Sequence, residues 1–226
     1  MNVKNFLIFG LITILASSCS GTYKAYYQTL EIAFSTQKDI KLTMDEVQIS
    51  DIDVISVKRG KRAVAIMALA YLENNQHKWV SSDNTMLIMD NGRIKRTLGL
   101  NKNLLHLSNT DSDPLKSLPN HSNDKPQLWT RILDLSDDEY GHPIESKFSQ
   151  ASPDTIQALN LDTEAILFIE TVKYEAPSNY VRINKSWGNH FWYAKNGDLI
   201  KSIQKVSPFS EPLEITYLSR IARLHN

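Results

Sequence analysis

Cys19 is the only cysteine in 226 residues, and it directly follows an apolar leader. Met1 to Asn5 carries one positive charge, Lys4. Phe6 to Leu15 is apolar apart from Gly10 and Thr13, and Ala16-Ser17-Ser18 are small. A charged start, a short apolar middle and a small-residue exit make a secretory signal peptide. The apolar run is about half of the roughly 20 residues a membrane span needs. The chain is therefore expected to leave the cytosol, to lose residues 1–18 and to fold without a disulfide. Its stability must then come from a packed core.

Leu15-Ala16-Ser17-Ser18-Cys19 resembles the lipobox of bacterial lipoproteins. There the cysteine thiol takes a diacylglycerol, the leader is cut just before it, and the new amine is acylated. Two or more acyl chains anchor stably, at about 0.8 kcal/mol per buried methylene. Strong lipoboxes place leucine three before the cysteine, where this chain has Ala16. Ala16-Ser17-Ser18 also fits ordinary cleavage, which would give a soluble secreted protein with an N-terminal thiol. Ser20 stands where inner-membrane lipoproteins of this kind usually carry aspartate. The expectation is an outer-membrane lipid anchor at Cys19, a tether over residues 19–22, and one periplasmic β-rich domain over 23–226.

Removing residues 1–18 removes one lysine and no acid, so the mature chain is close to neutral. Such a balance leaves no electrostatic footprint for nucleic acid. With 42% hydrophobic and 22% charged residues, the composition is that of a globular protein, not a disordered one.

Patterning over most of the chain has the period of strands. Tyr23 to Phe34 reads as a short N-terminal helix, and Thr43-Met44-Asp45-Glu46 as a capping box opening one helical turn. Strands are expected at Val54–Val57, Ala63–Leu72, Trp79–Ser81, Thr85–Met89 and Arg93–Leu98. Asn91-Gly92 makes a tight hairpin between the last two. Asn101 to Lys125 is polar and reads as a long surface loop, with one short helix near Leu104-Leu105. Further strands are expected at Leu128–Leu135, Ile144–Phe148, Ala165–Tyr174, Tyr180–Ile183, His190–Tyr193, Leu199–Val206 and Glu214–Tyr217. Ser152-Pro153-Asp154 reads as the start of a short helix to Leu159. A basic tail follows the last strand. The fold class is mainly β, an antiparallel β-sandwich or semi-closed barrel with few short helices. An echo between residues 42–100 and 128–217, each with a capped helix, a tryptophan and an Asn-Gly turn, raises the option of two similar β units.

The search for chemistry gives little. No HExxH, His-x-His, CxxC, GxSxG or Gly-rich phosphate loop is present, so no metal or cofactor has sequence support. Asp134, Asp137, Asp138 and Glu139 cluster at a hairpin and offer ligands for Ca²⁺ or a glycosidase carboxylate pair, although no EF-hand spacing is present and charged hairpin tips are common. Trp79, Trp187 and Trp192 offer indole faces for stacking on sugar rings. Trp187-Gly188-Asn189 reads as a loop and is the best placed. A tryptophan in a β protein is more often a core residue.

Several segments together resemble the YjbF/GfcB lipoproteins of exopolysaccharide and group 4 capsule loci. They are the lipobox at Cys19, Leu42-Thr43, Lys78-Trp79-Val80-Ser81 through Met86-Leu87, Asn91-Gly92-Arg93, Thr97-Leu98-Gly99-Leu100, and Tyr193 to Leu199. The resemblance implies a mainly β outer-membrane lipoprotein that helps make or export a surface polysaccharide. Its partners would be membrane lipid through Cys19, the polysaccharide and other export proteins of the locus. It carries over no catalytic residues. Open alternatives are a glycan-binding module using the three tryptophans, and a glycan-modifying enzyme using the carboxylates near Asp137.

Overall fold

Turn chemistry sets the strand pairing. Asn91 and Gly92 both adopt positive φ, 47° and 83°. That geometry matches the twist of the strands they join, β4 (Met86–Asp90) and β5 (Arg93–Leu98). Asn74-Asn75 and Leu159-Asn160 make the same kind of two-residue turn with positive φ at both positions. The computed structural model describes residues 39–118, 128–137, 139–149, 151–175 and 184–225, and residues 39–226 form one compact unit. The helix expected over Tyr23–Phe34, the strand at Tyr180–Ile183 and Cys19 itself lie outside the described residues.

Helix α1 (Met44–Gln48) carries the capping box read from the sequence: Glu46 N donates to Thr43 Oγ1 at 3.3 Å, and Thr43 N to Glu46 Oε2 at 2.7 Å. The remaining strands are β1 (Val54–Arg59), β2 (Ala65–Glu73), β3 (Gln76–Ser81), β6 (Leu104–Leu107), β7 (Leu128–Leu135), β8 (Glu139–Phe148), β9 (Ser152–Ala158), β10 (Leu161–Glu175), β11 (Asn184–Ala194), β12 (Leu199–Gln204) and β13 (Leu213–Thr216). They form one antiparallel sheet in the order β5-β4-β3-β2-β1-β13-β12-β11-β10-β8-β7-β6, with β9 on β10. The path runs through both expected halves, because β1 pairs with β13. Its two ends, β5 and β6, meet through side chains. Leu104 N donates to Thr97 Oγ1 at 2.9 Å, and Leu100 N donates to Asn103 Oδ1 at 3.0 Å. The result is a nearly closed barrel.

The barrel is filled. Ile55, Trp79, Leu87, Leu104, Trp129, Leu133, Val172 and Phe191 pack into one core. On β7 the inward residues Trp129, Arg131, Leu133 and Leu135 alternate with outward Leu128, Thr130, Ile132 and Asp134. The outer face also carries Lys147, Thr171 and Lys173 in exposed positions. A membrane-spanning barrel needs an apolar belt outside. Here the exposed Leu128 and Ile132 are interrupted on the outer face by Thr130, Lys147, Thr171 and Lys173, so the described part of β7, β8 and β10 carries no continuous apolar belt. No described helix is long and apolar enough to cross a membrane.

Four expectations are corrected. Residues 152–158 are strand β9, not a helix, because β10 is 15 residues long and its first half offers a free ladder after β8 ends. Pro153 sits at that outer edge, where proline is tolerated. Asp154 Oδ1 takes the Thr155 N–H at 2.8 Å, which blunts the edge further. The capped helix expected in the second half of the internal echo is thus a strand. Leu104-Leu105 belongs to strand β6, and the described part of the segment after it is no surface excursion: two 3₁₀ turns, Thr110–Ser112 and Pro114–Lys116, bring Leu115 and Leu118 into the main core. Trp187-Gly188-Asn189 lies within β11. The basic tail is helix α2 (Leu218–Leu224), whose Leu218 and Ala222 pack with Val47 and Val54 while Ile221 joins Trp192 in a second cluster outside the barrel.

Gly92 has a second reason to be glycine. A Cβ there would collide with Leu199 Cδ2, whereas one at Gly141, also at positive φ (73°), meets nothing within 4 Å. Gly92→Ala is expected to destabilise by about 2 kcal/mol or more, and Gly141→Ala by about 1 kcal/mol. Urea denaturation of the two variants checks the order. Equal losses would show that the collision is relieved without cost.

Candidate functional site

Inside the barrel lies a group of charges among apolar residues. Arg93 on β5 is 4% exposed, Arg131 on β7 is 7%, Glu170 on β10 is 0%, and Asp113, which caps the second 3₁₀ turn, is 5%. Arg93 Nε and Nη2 donate to the two Asp113 oxygens at 2.8 and 3.1 Å. Its Nη1 donates to Glu170 Oε2 at 2.6 Å. The other Glu170 oxygen faces Arg131 Nη2 at 3.2 Å. Asn189 Nδ2 adds a bond to Glu170 Oε2 at 2.9 Å, and Arg131 Nη1 donates to Ser146 Oγ at 2.8 Å. The Trp129 ring lies near both guanidiniums, with the Arg93 and Arg131 carbons at 4.8 and 4.0 Å from its centroid. Two cations and two anions balance, which is the condition for burying charge at tolerable cost.

Around this group the backbone is tied by side chains. Gln204 on β12 accepts from Ile94 N at 3.2 Å and donates to Gly92 O at 2.7 Å. Asn189 Oδ1 accepts from Lys205 N at 2.8 Å. Asp113 Oδ1 also accepts from Leu115 N at 3.0 Å. One carboxylate therefore caps the turn and pins it to the barrel wall.

Burial alone would raise the Glu170 pKa. The Arg93 and Arg131 charges, with hydrogen bonds from Arg93 and Asn189, outweigh it and hold the group at about 2. Burial pulls Arg131 down to about 10 against the pull of Glu170, so it remains a cation at neutral pH. The Arg93 guanidinium is raised: its burial is more than offset by Asp113 and Glu170. These groups stay ionised and out of solvent, each facing opposite charge, with Glu170 Oε1 meeting Arg131 as an ion pair that is not also a hydrogen bond. The adjoining cavity against Arg93, Arg131, Asn189 and Gln204 measures about 10 Å³, room for a single water. A carboxylate so placed holds shape. It cannot reach a substrate or exchange a proton near neutral pH.

The residues singled out from the sequence fall elsewhere. Trp79 is 2% exposed, stacked on His77 and edge-on to Tyr217, so it offers no face to a sugar. Trp192 is 7% exposed. It lies on the outer side of β11, packed in the second cluster with Ile156 of β9 and Ile221 of α2, and its Nε1 donates to Asp154 Oδ2 at 2.7 Å. The causes of the two corrections differ: Trp79 points from β3 into the barrel core, whereas Trp192 is covered on the outer side of β11 by β9 and α2. Trp187 is half-buried against the main core, with its Nε1 donating to Lys205 O at 2.7 Å. Asp134 spends an oxygen on Gly141 N at 2.8 Å, closing the β7–β8 turn. The side chains of Asp138 and Glu139 lie outside the described residues. Arg93, Arg131 and Glu170 went unnoticed as a set. Their signal was phase: Arg131 and Glu170 hold inward positions in otherwise apolar faces.

Removing the charge at Glu170 leaves two buried guanidiniums facing one carboxylate. Glu170→Gln is expected to cost about 3–5 kcal/mol in urea denaturation at pH 7. The exposed Lys195–Glu164 pair makes the control, and Lys195→Gln should leave the midpoint unchanged. Because the folded pKa of about 2 lies below the ordinary 4.5, this contribution is complete above pH 4.5 and is lost as pH falls toward 2. Stability of the wild type should fall over that window more steeply than that of Glu170→Gln. Parallel pH profiles would remove Glu170 as the cause.

With the geometry in view, the comparisons with known proteins are informative. Residues 27–218 match the family described as group 4 capsule polysaccharide lipoprotein GfcB, YjbF. The uncharacterized lipoprotein GfcB of Escherichia coli K12 is 26% identical over 215 residues, covering 94% of this chain and 97% of the relative. The uncharacterized lipoprotein YjbF of the same organism is 24% identical over 210 residues, covering 92% and 94%. Among solved structures, the hypothetical lipoprotein YmcC of E. coli K12 superposes with a TM-score of 0.69 at 28% identity, over 79% of this chain and 89% of that one. The chain belongs to the GfcB/YjbF family of group 4 capsule polysaccharide lipoproteins.

Proposed function

We propose that this protein is an outer-membrane lipoprotein that serves the production or export of an exopolysaccharide or capsule as a non-enzymatic accessory factor. It is anchored through Cys19, with its β domain in the periplasm. The observation that carries the reading is the family match across residues 27–218. The leader before Cys19 and the lipoprotein names of the relatives support the anchor, and Ser20 supports the outer membrane. The filled barrel favours an accessory over a conduit, since no polymer can thread a core occupied by Trp129, Phe191 and the Arg93–Glu170 pair. Among the described residues, the one buried carboxylate with a strongly displaced pKa is spent in ion pairs, which favours a scaffold over a hydrolase.

Intact mass and membrane fractionation of wild type and Cys19→Ala test the anchor. The expected result is a tri-acyl mass gain and outer-membrane residence for wild type, both lost in the variant. An unmodified, soluble wild type would refute the anchor. Capsule measured on a deletion strain tests the role: a loss restored by the wild-type gene is expected, and an unchanged capsule would refute it.

A further inference from the structure

The outer face of the barrel carries a hollow of about 510 Å³ over β7, β8 and β10 that none of the preceding roles uses. Its size is in the range of small-ligand sites. Register puts its residues in two rows. Thr130, Glu145 and Lys173 are direct cross-strand neighbours on three successive strands, and Ile132 and Pro143 form the next row on the same face. Thr130, Ile132, Pro143 and Lys173 are exposed, and Glu145 is half-buried. Ser108 and Asn109 close one side. Ser108 Oγ accepts from Ile132 N at 2.8 Å, and Asn109 Nδ2 donates to Thr130 O at 2.8 Å. The β7 edge beyond β6 is thereby sealed with side chains that present polar groups to the hollow.

Two features point to a ligand of mixed character. Glu145 and Lys173 sit directly opposite each other with opposite charge, yet no ion pair joins them among the described residues. Cross-strand charges of opposite sign ordinarily stabilise a sheet by meeting, and here both heads are left for another group. Beside them, Ile132 and Pro143 make a flat apolar step. A hexose ring has this same division: a C–H face that lies on apolar surface, and a rim of hydroxyls that bond carboxylate, ammonium and hydroxyl groups. The hollow is open and lies on a sheet surface, as a chain-like ligand requires.

We propose that this face binds a segment of the capsular polysaccharide, with ring C–H faces on Ile132 and Pro143 and ring hydroxyls or carboxylates on Thr130, Glu145 and Lys173. The assignment rests on the capsule reading above and names the surface through which the accessory would hold its polymer. It also relocates glycan contact from the tryptophans, two of which are closed, to the opposite kind of platform.

The test uses the full lipidated protein in nanodiscs and oligosaccharides released by partial hydrolysis from the capsule of the strain that carries the gene. Glu145→Gln and Lys173→Gln are surface changes that leave the thermal midpoint in place. Each is expected to weaken binding by about tenfold, and Ile132→Asp by at least as much. Trp187→Ala should bind like wild type. Binding untouched by the three groove variants but lost in Trp187→Ala would overturn the groove and keep glycan recognition. Binding of peptidoglycan glycan strands in preference to capsular fragments would overturn the assignment of the polymer. In the deletion strain, the Glu145→Gln/Lys173→Gln double variant should reach the outer membrane at wild-type level yet fail to restore capsule. Full restoration by that variant would overturn the groove while leaving the accessory role intact. A deletion without capsule loss would overturn the role and the groove together.

Discussion

The salt-bridged group at Arg93 is the constraint on which the rest of this barrel depends. A sheet of this length must either close or leave two long edges exposed. Here β5 and β6 close it without a backbone ladder, and the gap is bridged from within. Arg93 on β5 reaches Glu170 on β10, and Arg131 on β7 reaches the same carboxylate. The two sides of the seam are therefore tied to one anion on β10, which β8 separates from β7. Asp113 extends the tie to the 3₁₀ turn, so that Leu115 and Leu118 fill the core in place of a ligand. An uncompensated charge at this depth would cost several kcal/mol. The four groups must therefore be present together, which specifies one closed arrangement.

That constraint shapes function. A barrel whose interior is spent on packing and ion pairs acts through its outer surface. The GfcB/YjbF family name associates such chains with group 4 capsule polysaccharide, and a solid barrel carrying the proposed lipid anchor would be suited to hold something beside a membrane. The outer faces are not uniform. One side of β10, β11 and β12 is covered by β9 and α2, while the side over β7 and β8 stays open. Work done by a surface must be done where no element of the chain already covers it.

How much of this could be read from the residues depended on distance along the chain. Local chemistry was legible: Thr43 and Glu46 form their capping box, and Asn91-Gly92 and Asn196-Gly197 turn the chain as their types require. The alternation in Leu128–Leu135 gave the right faces. Signals that depend on a partner far away failed. Asp113 reads as a polar loop residue because its guanidinium is 20 positions upstream, and Glu170 reads as an ordinary charged position in a strand because its partner is 77 positions away. Ser152-Pro153-Asp154 has the types of a helix start, but the free half of β10 offered hydrogen bonds that no local preference outweighs. The tryptophans misled for the same reason. Exposure of Trp192 is decided by α2, and the Leu218, Ile221 and Ala222 spacing that makes α2 was hidden under its arginines.

Asp113 pins the 3₁₀ segment into the barrel. Native-state hydrogen exchange resolved by residue tests it most directly, on wild type and Asp113→Asn. The Leu115 amide in wild type is expected to be protected to nearly the level of β10 and β11. In the variant the Leu115 protection should fall to near that of an open loop, while the strands lose only what the lower global stability takes from them. Free exchange at Leu115 in wild type, or equal protection in the two proteins, would contradict it.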